Sequence, residues 1–70
     1  MNKNYVKQIT RKLRSVMKIT QDELAHQLNV EERTVRRYEA GQSRWSSTVL
    51  IKIIGLCRQN GIEFDLLLAS

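Results

Sequence analysis

The sequence predicts an all-α domain, a compact bundle of about five short helices, and three observations support this class. The chain has 70 residues with no proline and only three glycines, the residues that most often interrupt helices. Many of its apolar residues recur three and four positions apart, which places them on one face of a helix. Hydrophobic residues make up 41% of the chain, enough for a core and too many for a disordered tail. One small helical domain is therefore expected.

The charge balance indicates a polyanionic partner or an anionic surface. Twelve basic and seven acidic residues give a net charge of +5 and a pI near 9.9. No apolar run approaches the roughly 18 residues that span a bilayer. Residues 1–8 also lack the apolar region of a signal peptide. We therefore expect a cytoplasmic protein that is not embedded in a membrane.

The sequence provides little for metal or catalytic chemistry. Cys57 is the only cysteine and His26 the only histidine, which excludes an internal disulfide and a Cys-x-x-Cys metal site. No glycine-rich phosphate loop or acidic cluster accompanies them, so no nucleophile, base and orienting group occur together. We expect no enzyme activity, no cofactor and no metal. Cys57 is predicted to be a small core residue and His26 a solvated one.

The first element is an amphipathic helix over residues 5–17. Its inner face consists of Val6, Ile9, Leu13, Val16 and Met17. Its other face carries Lys7, Arg11 and Lys12. A polar, mobile lead at residues 1–5 is predicted to precede a domain at residues 6–68.

The second helix is predicted to begin after Thr20. Thr20 and Glu23 stand three apart, which suits a capping box in which each side chain bonds the other's backbone amide. The inner stripe is Leu24, Ala25 and Leu28. Asn29, which tolerates the left-handed conformation, is predicted to end the helix.

The third helix is predicted to begin near Glu31 or Glu32, where acidic side chains complement the exposed amides. With Glu31 as the cap, Val30 and Val35 have the spacing of a hydrophobic staple. Val35 and Tyr38 should face inward, and Gly41 should end the helix in the left-handed conformation. The outer face consists of Glu32, Arg33, Arg36 and Arg37.

The fourth helix is predicted over residues 47–60 and should end at Gly61. A loop at residues 42–47 precedes it, and either Ser46 or Ser47 is predicted to cap the helix. Its apolar residues are Leu50, Ile51, Ile53, Ile54 and Cys57. Residues 62–68 alternate like a strand, yet a short helix is preferred there. More apolar side chains end here than one small core absorbs, which indicates a dimer surface.

Three motifs in residues 20–41 carry a family resemblance. They read T-Q-x-E-L-A, then L-N-V, then R-T-V-R-R-Y-E-x-G. Together they resemble the helix-turn-helix of the phage-repressor family typified by Cro and CI, also called the XRE family, and the match extends more loosely over residues 6–67. The resemblance implies a lambda-repressor-like fold and double-stranded DNA as the partner. It also implies an ion pair between Arg14 and Glu39, the glutamate of the E-x-G motif.

The chain departs from the family pattern at two helix ends and one helix start. Lys18 and Asn29 stand where glycine is frequent in relatives. A left-handed lysine costs on the order of 1 kcal/mol, whereas asparagine accepts that conformation. Glu31 replaces the usual serine or threonine cap, so the third helix is expected to start less firmly.

The helix over residues 32–40 has the size and charge to enter the major groove of DNA. Arg33 and Arg37, a turn apart, are predicted to read bases, and Arg36 to contact phosphate in part. Glu32 can accept from the amino group of cytosine and otherwise acts as a filter. The resemblance adds phosphate contacts from the start of the second helix and from the loop. The predicted DNA-binding residues are Gln21, Glu32, Arg33, Thr34, Arg36, Arg37, Gln42, Ser43 and Arg44.

Several alternatives stay open at this point. Trp45 either packs against the bundle edge or a second subunit, or contacts sugar or base. The predicted function is that of a transcriptional repressor, a homodimer on a pseudo-palindromic operator. The alternative is a protein-interaction module, such as an antitoxin or the regulatory partner of another protein.

Overall fold

Five helices follow one another along the chain in the computed structural model, which describes the backbone of residues 2–69 and the side chains of residues 2–67. They are α1 (Lys3–Met17), α2 (Gln21–Leu28), α3 (Glu32–Glu39), α4 (Ser47–Gln59) and α5 (Phe64–Ala69). No strand occurs within residues 2–69. The predicted all-α class and the number of helices are confirmed.

Helix α1 begins at Lys3 and not at the predicted Tyr5. The Asn2 side chain accepts a hydrogen bond from the Tyr5 backbone N–H at 3.0 Å and so caps the helix. Residues 3–5 of the predicted lead are therefore helical, Met1 lies outside the described residues, and the mobility of the lead stays a prediction.

The core is built from the inner faces of all five helices. Its fully or nearly fully buried apolar residues are Val6, Ile9, Leu13, Leu24, Ala25, Leu28, Val35, Tyr38, Val49, Ile53, Leu56, Cys57 and Leu67. Cys57 is thus a core residue, as predicted. Burial raises the pKa of its thiol, because the charged thiolate loses solvation there. His26 is exposed, also as predicted.

Two apolar residues of the predicted helices, one of them predicted on the inner face of α1, are exposed. Val16 is 56% exposed and Ile51 is 70% exposed. At about 100° per residue, Thr10 lies closer than Val16 to the stripe of Val6 and Leu13. Thr10 is accordingly buried, and its hydroxyl donates to the Val6 carbonyl at 2.6 Å. The predicted inner face of α1 is therefore wrong at Val16, where a polar residue takes the place in the core.

Four of the helices end with one residue in the left-handed conformation. The φ angles are 57° at Lys18 and 56° at Asn29, each the first residue past its helix, and 73° at Gly41 and 66° at Gly61, each the second. In each case the amide of the following residue bonds a carbonyl five positions back, at 2.8 to 3.2 Å. The predicted ends at Asn29, Gly41 and Gly61 are confirmed, and Lys18 adopts the conformation for which glycine is better suited.

The C-terminal part of the chain is helical where sequence alone left a strand open. Ser46 caps α4 by accepting from the Val49 N–H at 3.2 Å, so it is the cap of the two serines proposed. In α5, Leu67 is buried whereas Leu66 is 62% exposed. Lys12 Nζ donates to the Leu67 carbonyl at 3.1 Å and so ties the end of α5 to α1. The preferred short helix is confirmed.

Candidate nucleic-acid interface

Helix α2 is held at its start by a complete capping box. Thr20 Oγ1 accepts from the Glu23 N–H at 3.1 Å, and Glu23 Oε1 accepts from the Thr20 N–H at 2.9 Å. Gln21 is the first residue inside this helix. Its backbone amide therefore belongs to the unpaired first turn, where anions bind most readily.

Helix α3 is fixed from behind by apolar side chains. Val35 is fully buried, Tyr38 is 4% exposed, and Val30 packs against the core just before the helix. Glu31 occupies the cap position, but its side chain makes no capping hydrogen bond to the first-turn amides. The position of α3 is therefore set by its packing and not by a strong local start signal.

The outer face of α3 presents three arginines, as predicted. The Arg33 and Arg36 side chains are 67% and 55% exposed, and Arg37 is exposed as well. Their guanidinium groups therefore point away from the core and are available to a large polyanion. The inward orientation that would have excluded a role in DNA contact does not occur.

Two of these arginines have carboxylate neighbours on their own element. Arg36 Nη1 donates to Glu32 Oε1 at 2.8 Å across one helical turn. Arg33 Nε lies 4.0 Å from Glu31 Oε2, at the outer limit of an ion pair. Exposed pairs of this kind contribute only about 0–1 kcal/mol, so the arginines can exchange these partners for phosphates or bases. Arg37 has no hydrogen bond or ion pair to any residue that the structure describes.

A buried carboxylate joins the helix-turn-helix to α1. Arg14 Nε donates to Glu39 Oε2 at 2.7 Å and Arg14 Nη2 donates to Glu39 Oε1 at 2.9 Å, so the ion pair is bidentate. Gln21 Nε2 donates to the same Oε1 at 3.2 Å. Arg14 also donates through Nη1 to the Ile19 carbonyl at 3.3 Å. The pair implied by the family resemblance is confirmed, whereas the contact of Gln21 to Glu39 was not foreseen.

The surroundings of Glu39 keep its carboxyl ionised. Burial raises the pKa of Glu39, but hydrogen bonds from Arg14 and Gln21 and the charges of Arg14 and Arg11 outweigh it, so the net pKa is lowered. The hydrogen bond to Glu39 also raises the pKa of Arg14, against the effect of its own burial. Both partners therefore carry full charge at neutral pH, and the pair fixes the C-terminal end of α3 against α1.

The loop after α3 is anchored by its tryptophan. Trp45 Nε1 donates to Thr10 Oγ1 at 3.2 Å, and its ring meets Phe64 edge-on with centroids 6.3 Å apart at 61°. Packing against the bundle, one of the two alternatives for Trp45, is what the structure shows. Thr10 is a supporting residue that sequence reasoning missed. Its only signal is a hydroxyl residue next to the apolar stripe of α1.

The predicted DNA-binding residues lie on three consecutive segments: the start of α2, helix α3 and the loop that follows it. Their side chains differ in exposure. Gln21, Glu32, Thr34 and Ser43 are half-buried; Arg33, Arg36, Arg37, Gln42 and Arg44 are exposed. The exposed members are dominated by arginine, so this face is positively charged and suits phosphate more than any neutral ligand.

Other kinds of site find no support in the described residues. No group of three or more potential metal ligands occurs among them. None of their helices combines the length and the apolar character that crossing a bilayer requires. A shallow groove lies between the end of α4 and the start of α5.

Two helices joined by a tight turn, the second with an arginine-bearing outer face, define a helix-turn-helix protein of the DNA-binding class. The model of the HTH_3 helix-turn-helix family matches residues 11–60. The chain therefore belongs to this family, whose members are of the XRE, Cro and CI type. Members are DNA-binding regulators and are typically not enzymes. Comparisons with curated proteins and with solved structures gave no match.

Proposed function

We propose that this protein is a sequence-specific transcriptional repressor that inserts α3 into the major groove of its operator. The observation that carries the proposal is the two-sided character of α3. Val35 and Tyr38 anchor it in the core, while the opposite face presents exposed guanidinium groups. The major groove admits one α-helix and displays a distinct pattern of donors and acceptors for each base pair. Repression then follows from steric occupation of a promoter in the cytoplasm.

The proposed division of labour follows from exposure and side-chain chemistry. Arg33 and Arg37, one turn apart and exposed, read bases, since a guanidinium group matches the two major-groove acceptors of guanine. Arg36 contacts phosphate in part, and Glu32 accepts from cytosine where the sequence allows it. Thr34, half-buried beside them, contributes a smaller contact at the edge of the same helix.

Phosphate contacts are proposed to come from both sides of α3. Gln21 offers its backbone N–H at the start of α2 and one N–H of its side-chain amide, whose other N–H donates to Glu39 Oε1 at 3.2 Å. The loop offers Gln42, Ser43 and Arg44. These contacts set the register of the protein on the duplex but carry no sequence information.

A homodimer is the proposed binding unit, because one such module makes few base contacts. Leu66 on α5 and Ile51 on α4 have side chains that are 62% and 70% exposed. Burial of this apolar surface against a second copy would remove it from water. The groove between these helices is lined by Ile54, Cys57, Arg58, Ile62, Glu63, Phe64 and Asp65. The proposed two-fold contact is made by the exposed apolar side chains and leaves the charged groups of this groove, among them Arg58 and Glu63, in solvent. Dimers of this kind bind half-sites about 34 Å apart.

The experiment that tests DNA binding is a titration of the protein with random and selected duplexes at two salt concentrations. Binding through several phosphates must weaken with salt, with a logarithmic slope of about 0.9 per phosphate neutralised. A flat response on both duplexes contradicts the proposal and favours the alternative, a protein-interaction module such as an antitoxin. The selected duplex comes from a prior selection from a randomised duplex pool, which also supplies the operator sequence.

A further inference from the structure

Two carboxylates lie among the arginines assigned to DNA contact. Glu32 Oε1 accepts from Arg36 Nη1 at 2.8 Å, and Glu31 Oε2 lies 4.0 Å from Arg33 Nε. The Glu31 and Glu32 side chains are 76% and 42% exposed, on the surface that would meet the duplex. A polyanion attracts the arginines and repels these carboxylates, so their presence on this face reduces affinity for DNA in general.

We propose that Glu31 and Glu32 are specificity-determining residues that weaken binding to non-matching duplexes more than binding to the operator. The inference rests on the proposed function, since it concerns the same face of α3. It assigns the two acids a role against wrong sequences, which is one of the two ways in which a protein discriminates between ligands.

The physical reason lies in what replaces each ion pair on DNA. On a random duplex, Arg36 must leave Glu32 to reach a phosphate, and the abandoned carboxylate then faces negative charge. On a matching site, a cytosine amino group donates to Glu32 in place of the guanidinium group, and Arg36 is released at little cost. The penalty is therefore offset only where the correct base stands opposite Glu32.

The three arginines of α3 differ in how closely a carboxylate approaches them. Arg37 is exposed and makes no ion pair with the described residues, so nothing restrains it from contacting any guanine or phosphate. Arg33 is restrained less than Arg36 and more than Arg37, because its distance to Glu31 is at the outer limit of an ion pair. The effect of removing a carboxylate should thus be larger at Glu32 than at Glu31.

The test compares Glu32→Gln and Glu31→Gln with Glu63→Gln, which changes the net charge equally but lies in the turn between α4 and α5. Dissociation constants are measured on a random duplex and on a duplex selected with the parent protein. We expect Glu32→Gln to tighten random binding about threefold to tenfold beyond Glu63→Gln. Affinity for the selected duplex should increase less than affinity for the random duplex, or should decrease. The ratio of the dissociation constant on the random duplex to that on the selected duplex therefore becomes smaller.

Three further measurements separate the carboxylate effect from other causes. In an Arg36→Gln background the gain from Glu32→Gln should shrink, because the pair no longer exists. Glu32→Asp keeps the negative charge on the DNA-facing surface. Its dissociation constant on the random duplex should therefore be closer to that of the parent than the dissociation constant of Glu32→Gln is. Thermal melts of each variant test whether the domain is still folded.

The outcomes are distinct for the inference and for the proposed function. Equal tightening by Glu32→Gln and Glu63→Gln on random DNA attributes the effect to net charge and overturns the inference. Equal tightening on both duplexes overturns it as well, because specificity is then unchanged. A parent protein that binds neither duplex in a salt-dependent way removes the proposed function, and the inference with it.

Discussion

Arg14 and Glu39 form a bidentate ion pair, with oxygen–nitrogen distances of 2.7 and 2.9 Å, that joins α1 to the end of α3. The two partners differ in burial. The Arg14 side chain is 30% exposed, whereas that of Glu39 is 7% exposed. The helix that carries the arginine face is thus tied to the rest of the bundle by a carboxylate that solvent barely reaches.

This asymmetry predicts unequal losses when either partner is removed. Arg14→Met leaves a charged, nearly buried carboxylate and should lower the free energy of unfolding by about 3 kcal/mol. Glu39→Leu leaves an arginine that can still reach water and should cost less, about 1–3 kcal/mol. The double mutant should lose less than the sum of the two. Urea denaturation measures all three, and strictly additive losses would show that the two charges act independently.

Stability should also fall at acid pH because of Glu39. Its pKa in the folded state is below its ordinary value, so the folded state binds the proton less readily than the unfolded chain. Its contribution is therefore present above the unfolded pKa and is lost as the pH falls through the lowered folded pKa. Urea midpoints between about pH 7 and about pH 3 measure this. The Glu39→Gln variant should show a shallower dependence; an identical dependence would assign the effect to other carboxylates.

Lys18→Gly should stabilise the fold. Lys18 ends α1 with a φ of 57°, a backbone conformation that is strained for a residue with a Cβ. Relief of this strain should raise the free energy of unfolding by about 1 kcal/mol, less the entropy that glycine adds to the unfolded chain. The matched reverse change is Gly61→Ala, at φ 66°, where a new Cβ meets no described atom within 4 Å. It should destabilise by a similar amount. The melting temperatures of the two variants measure this, and a shift of both in the same direction from the parent would contradict this account.

Arg37→Ala should weaken operator binding by about 1–3 kcal/mol and relax the preference at one base pair. Gln21→Ala should weaken all sequences alike, since a phosphate contact carries no sequence information. Arg58→Ala, at the end of α4, is the control for the loss of one positive charge. Selection from a randomised duplex pool measures the preference of each variant. The same consensus from Arg37→Ala as from the parent would remove its assignment as a base reader.

Leu66→Ser should weaken self-association without disturbing the core. Leu66 is 62% exposed on α5, whereas its neighbour Leu67 is 6% exposed and supports the bundle. We expect two chains per operator duplex for the parent and a weaker, stepwise binding for the variant. Analytical ultracentrifugation with and without duplex measures both. One chain per duplex for the parent throughout would contradict the proposed dimer.

Several features of this protein were predictable from short stretches of sequence. The capping box at Thr20 and Glu23, the left-handed stops at Asn29 and Gly41 and the arginine face of α3 all depend on hydrogen bonds and helical spacing within a few residues. Such local rules operate before any tertiary contact forms, which explains why the helix-turn-helix was found from residues 20–41 alone. The start of α1 at Lys3 is likewise a local feature, because it depends on the cap that Asn2 provides.

The partners across the fold came from the packing of the helices. Gln21 turns out to share Glu39 with Arg14, Trp45 reaches Thr10 over a separation of 35 residues, and Lys12 bonds a carbonyl 55 residues away. Helical periodicity tells which face of an element is apolar, but not the angle or offset at which two elements meet. Those angles decide which polar side chains come within bonding distance, and they explain why Val16 is exposed while Thr10 is buried.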